Sequence, residues 1–74
     1  MTRRDQMTRR LIAANDGKLF ISKSKAMRLL GHGHERFDAM MEGYDYRRTG
    51  RNGGKEYFVD DVIDAELHLG RGAL

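Results

Sequence analysis

The chain has 74 residues, no cysteine and a net charge of +3. A chain of this length forms one small domain that buries only about 60% of its unfolded surface, which leaves no room for a deep catalytic cleft with supporting shells. Without cysteine there is no disulfide, and a metal site would need His and carboxylates alone; no apolar run approaches the roughly 20 residues of a membrane span, and the basic N-terminus lacks the apolar segment of a secretory signal, so a cytoplasmic location is expected.

The charge is unevenly placed. Residues 1–55 carry 13 Lys/Arg against 6 Asp/Glu, a net of +7, and residues 56–74 carry 1 against 5, a net of −4. A basic body with an acidic end fits a protein that offers one face to a polyanion. Phospholipid is the weaker candidate polyanion, because no segment joins a basic face to a large apolar one.

The chain opens MTRRDQMTRR, with Arg3, Arg4, Arg9 and Arg10. Residues 1–17 are expected to be a basic arm, disordered over its first several residues, or a short helix that runs to Ala14 and stops at Asn15-Asp16-Gly17. Leu19-Phe20-Ile21 is an apolar run expected as a brief strand or extended lead into Ser22, a good helix N-cap. A helix over residues 23–30 follows, with Ala26, Leu29 and Leu30 at helical spacing, and Gly31-His32-Gly33 breaks it. A second helix is expected over residues 34–42, with Phe37, Met40 and Met41 on one face. Two short helices joined by a Gly-containing turn match a helix-turn-helix, though a plain helical hairpin has the same pattern.

Next comes Arg47-Arg48-Thr49-Gly50-Arg51-Asn52-Gly53-Gly54-Lys55, which sets cations around an Asn-Gly dipeptide. Asn-Gly is a strong hairpin signal, since both central positions of a type I′ turn need φ > 0. Tyr44 and Tyr46 on one side and Tyr57, Phe58 and Val59 on the other are the expected strand legs. A hairpin with a basic tip and aromatic legs is the wing of a winged-helix DNA binder; the competing view is a solvated hairpin whose cations keep strand edges soluble. Asp60-Asp61 then opens a last helix with Val62, Ile63 and Leu67 on its apolar face, the acids favouring the helix dipole. Residues 18–69 form the domain and residues 70–74 a frayed tail. The fold class expected is α+β, mostly α, a small winged helix-turn-helix with a two-stranded hairpin wing.

The order Ile21-Ser22-Lys23-Ser24-Lys25-Ala26-Met27-Arg28-Leu29-Leu30-Gly31, second helix, basic hairpin, then Tyr57-Phe58-Val59-Asp60-Asp61-Val62 resembles the excisionase and MerR-like winged-helix family. The match covers roughly residues 20–69. Lys25 stands where that family usually has the Glu that completes a capping box with Ser22, and Met27 where it has Ala. Lys23 and Lys25 oppose the dipole of the helix they begin, and a docked phosphate would relieve this.

The resemblance implies that the second helix enters the major groove and the wing meets the adjacent minor groove or backbone. Carried onto this chain, His34, Glu35, Arg36, Asp38 and Ala39 are the outward positions of the reading helix. Arg36 suits guanine O6 and N7, and Glu35 or Asp38 suits cytosine N4. Arg47, Arg48, Arg51, Asn52 and Lys55 are wing contacts, arginine favouring a narrow minor groove. No cofactor is expected. His32, His34 and His68 do not complete a tetrahedral metal set. Tyr44, Tyr46 and Tyr57 lack the anion-stabilising cluster that a nucleophilic tyrosine needs, so they and Met27, Met40 and Met41 are expected to pack. The expected function is non-enzymatic binding of double-stranded DNA by a phage or mobile-element excisionase that bends attachment-site DNA, recruits an integrase and self-associates cooperatively on DNA. A small transcription regulator of the same fold and a protein-interaction adaptor without DNA are the alternatives.

Overall fold

A computed structural model gives the fold and describes residues 2–49 and 53–72. Within them the elements are α1 (Arg3–Ala14), β1 (Phe20–Ser22), α2 (Lys23–Leu30), α3 (His34–Met40), β2 (Arg47–Arg48), β3 (Lys55–Phe58) and α4 (Val59–Gly72). The fold is α+β and 58% helical, of the winged-helix kind.

The N-terminal segment is helical from Arg3 onward rather than a disordered arm. The cause is local and tertiary together. The Asp5 amide donates to the Thr2 hydroxyl at 3.1 Å and the Thr2 amide donates to the Asp5 carboxylate at 3.3 Å, a reciprocal cap. Leu11 is then buried, and Arg4 reaches Asp64 of α4 at 3.3 Å. Past Ala14, Asp16 and Gly17 take positive φ and reverse the chain. Asn15 is the one buried polar residue among those described, and its side-chain amide donates to the carbonyls of Lys18 at 3.0 Å and Phe20 at 2.6 Å. That staple sets the start of β1.

Ser22 caps α2 by accepting from the Lys25 amide at 3.2 Å. Gly31, at φ 73, ends the helix in the left-handed region, and the amides of Gly31 and His32 both bond the Met27 carbonyl. α3 stops at Met40, short of the expected residue 42, because Gly43 at φ 91 turns the chain toward the hairpin.

The sheet is antiparallel with order β1-β3-β2. β1 therefore adds a third strand to the expected two-stranded wing. Tyr44 and Tyr46 precede β2 instead of forming it, and Val59 begins α4 instead of ending β3. The turn also differs from expectation. A two-residue Asn52-Gly53 turn would pair Arg51 with Gly54; instead the Thr49 amide bonds the Gly54 carbonyl at 2.8 Å, and Arg48 lies opposite Lys55. Residues 50–52, with Asn52 of the expected turn, lie outside the described residues, and Gly53 takes φ 61. Of residues 70–74, expected as a frayed tail, 70–72 continue α4 to Gly72, and 73 and 74 lie outside the described residues.

The core lies between the sheet and the helices. Phe37, Ile21, Ile63, Val59 and Val62 are its largest fully buried side chains, with Met40, Met41 and Tyr57 closing it. Each such burial contributes about 1.5–3 kcal/mol. The Phe37 and Tyr57 rings meet edge to face at 5.5 Å between centroids, joining α3 to the sheet.

Asn15→Ala is expected to destabilise the fold by about 1–3 kcal/mol, since two inward carbonyls lose their donor. Urea unfolding measures this, and an unchanged midpoint would mean that the staple contributes nothing.

Candidate nucleic-acid interface

The site is built on α3. Phe37 and Met40 are buried, so helical periodicity turns His34, Glu35, Arg36, Asp38 and Ala39 outward, and all five are exposed. The Gly31–Gly33 turn that aims this helix is tied to α4, because His32 Nε2 donates to Glu66 at 2.7 Å with the His32 side chain only 9% exposed.

Two residues expected to meet DNA meet each other. Lys23 Nζ lies 2.7 Å from Asp38 Oδ1, bridging the start of α2 to the outer face of α3. The Lys23 hydrogen bond, aided by the charges of Lys23, Lys55 and His34, holds the Asp38 carboxyl below its ordinary range. The pair offsets the unfavourable placement of Lys23 on the α2 dipole and engages one of the two Asp38 carboxylate oxygens.

The wing divides its cations. Arg47 Nε donates to Glu56 at 2.8 Å while its guanidinium lies 3.7 Å above the centre of the Phe20 ring. Arg48 donates to the Gly53 carbonyl at 2.9 Å. Lys55 Nζ lies 4.6 Å from the centre of the Tyr46 ring. Lys55 and Asp38 line a groove of about 320 Å³ between α3 and the hairpin, together with Met41, Tyr46 and Tyr57. Arg51 and Asn52 lie outside the described residues. Thus α3, Lys23 and Lys55 converge on Asp38, and Arg47 is drawn to the opposite side of the sheet.

The tyrosines separate by burial. Tyr57 is buried, and burial raises its phenol pKa. Tyr44 donates to Asp64 at 2.6 Å, which raises the Tyr44 phenol and, together with Arg4, lowers the Asp64 carboxyl. Tyr46 packs against the Tyr57 ring at 6.0 Å between centroids and is still 47% exposed. Among the described residues no cluster of three or more His, Cys, Asp or Glu is arranged to hold a metal, and no helix is long and apolar enough to cross a membrane.

Compared with protein-family models, curated proteins and solved structures, the chain matches none. Sequence reasoning missed the Lys23–Asp38 bridge, which joins distant positions without a local signal. The Arg47–Glu56 pair was legible in principle: opposite charges face each other once the hairpin register is right.

The pairings define a pH window. Asp38 and Asp64 have depressed folded-state pKa values, so their contribution is present above the ordinary carboxylate range and is lost as pH falls through the depressed values. Tyr44 is raised, so its contribution is present below the ordinary phenol value and is lost as pH rises through the raised one. In a side-chain NMR titration, Lys23→Met is expected to return Asp38 toward its ordinary value and leave Asp64 depressed. An Asp38 midpoint unmoved by that change would refute the assignment of its cause.

Proposed function

We propose that the chain binds double-stranded DNA, with α3 in the major groove and the wing on the neighbouring minor groove or backbone. The observation that carries this is the solvent-facing polar side of α3, held beside a basic hairpin by the Phe37–Tyr57 contact. Arg36 is the exposed cation of α3 and has no ion-pair partner among the described residues. It is the guanine reader in this proposal. Glu35, exposed and without an ion-pair partner among the described residues, is the acceptor for cytosine N4 in this proposal, and Asp38 has one oxygen engaged by Lys23. Arg3, Arg9 and Arg10 of α1 are exposed and likewise unpaired among the described residues, and they add long-range attraction beyond the wing.

The resemblance to excisionases extends this to a cytoplasmic, non-enzymatic protein that organises attachment-site DNA for an integrase. One module buries only about 600–1,000 Å² of protein surface, so a single copy is weakly specific and useful occupancy needs adjacent copies. A transcription regulator of the same fold would use the same surface but act at one site independently. Gel shifts on duplexes with one, two or three sites separate these roles: cooperative occupancy with bending supports the excisionase, and independent binding without bending supports the regulator.

DNA binding itself is tested by salt. The logarithm of the binding constant is expected to fall with the logarithm of salt concentration by about 0.9 for each phosphate neutralised. No binding to any duplex at low salt would leave the adaptor alternative.

Helix and wing should differ in what they contribute. Arg36→Ala is expected to weaken the cognate duplex more than a scrambled one, by about 1–3 kcal/mol, and Arg51→Ala to weaken both alike. Equal losses on the two duplexes for Arg36→Ala would argue against base reading by α3.

A further inference from the structure

We infer that the outer face of the sheet is a docking site for a partner protein, and that it takes a basic segment carrying one large apolar side chain. This surface lies on the opposite face of the sheet from α3 and shares only the edge residue Tyr46 with the groove between α3 and the hairpin. Ile21 and Tyr57 face each other across β1 and β3 and point into the core, so strand alternation sends Phe20 and Phe58 to the other face. Those two rings pack edge to face at 5.2 Å between centroids and are only half-buried. With Tyr46 they line a concavity of about 300 Å³, rimmed by Asp45, Arg47 and Asp61. Three of the chain's six aromatic residues thus border an open depression on a domain whose core is small. Concave sites of this size accept a single large side chain.

The rim selects the occupant by charge. Arg47 is neutralised by Glu56 and lies flat on Phe20. Asp45 and Asp61 have no ion-pair partner among the described residues, and Asp60 beside them is exposed. The net field at the depression is therefore negative. It repels phosphate and attracts lysine or arginine flanking an apolar anchor. A second copy of this chain does not supply such a segment. Of its basic stretches, α1 has Leu11 buried and Met7 packed against its own core, and the hairpin's Tyr46 already lines the depression; the exposed Leu19 has one adjacent cation, Lys18. The fitting partner is a different protein that presents cations and an apolar side chain together.

The test uses the whole chain, isotopically labelled, and needs no DNA, so its outcome is independent of the proposed DNA binding. The probe is a synthetic peptide with one tryptophan flanked on both sides by lysines. A peptide with glutamates in place of those lysines is the comparator. Amide shift changes are expected to centre on Phe20, Tyr46 and Phe58 and to spare α3. The surface variant Asp45→Asn with Asp61→Asn is expected to keep a folded spectrum and bind the lysine peptide roughly five- to tenfold more weakly. Overturning results are no shift change with the lysine peptide, equal binding of both peptides, changes centred on α3, or sedimentation that finds the face filled by a second copy.

Discussion

The edge-to-face contact between Phe37 and Tyr57 is the constraint on which both surfaces of this protein depend. Once Phe37 points inward, the helical period leaves His34, Glu35, Arg36, Asp38 and Ala39 no direction but outward. Once Tyr57 points inward, the two-residue period of β3 sends Glu56 and Phe58 to the far side of the sheet. The register Ile21↔Tyr57 then carries Phe20 to the same far side. One aromatic pair therefore sets the polar face of α3 on one side and the aromatic face of the sheet on the other. Loss of either ring would disturb both together.

Electrostatics refines what packing sets. The ion pairs Lys23–Asp38, Arg47–Glu56 and Arg4–Asp64 are partly or largely exposed, and pairs of that kind contribute only modestly to stability. Their larger consequence is to decide which charges remain available. Lys23 and Arg47 look like DNA contacts in the sequence, yet each is engaged by a carboxylate. Arg36 and the exposed Arg3, Arg9 and Arg10 of α1 have no ion-pair partner among the described residues. On the aromatic side of the sheet the balance reverses: neutralised Arg47 leaves Asp45 and Asp61 to set the sign.

Much of the fold was legible because its signals are local. Ser22 and Gly31 bracket α2 with a hydroxyl cap and a left-handed stop, and both act where the sequence places them. The helical periodicity of Phe37, Met40, Met41, Val62 and Ile63 marks core positions without knowledge of their partners. The hairpin was legible as a hairpin but not in register. Asn52-Gly53 invites a two-residue turn, and the pairing of Thr49 with Gly54 is set by where Tyr57 must sit against Phe37 and Ile21. The helical start at Arg3 was written in Thr2 and Asp5, but such a cap stabilises a helix only when a face such as Leu11 finds a core.

By itself the sequence determined the order of elements, the helix-turn-helix with its basic hairpin, and the apolar faces of α3 and α4. These follow from backbone preferences and from the periods of helix and strand, which act over a few residues. Only the tertiary structure decided that β1 joins the wing as a third strand, that Lys23 holds Asp38, that Arg47 lies on Phe20, and that Tyr46 stays open to solvent. Each of these joins residues from different elements. Their meeting depends on how the elements pack around one small core, a condition that no local stretch of the chain encodes.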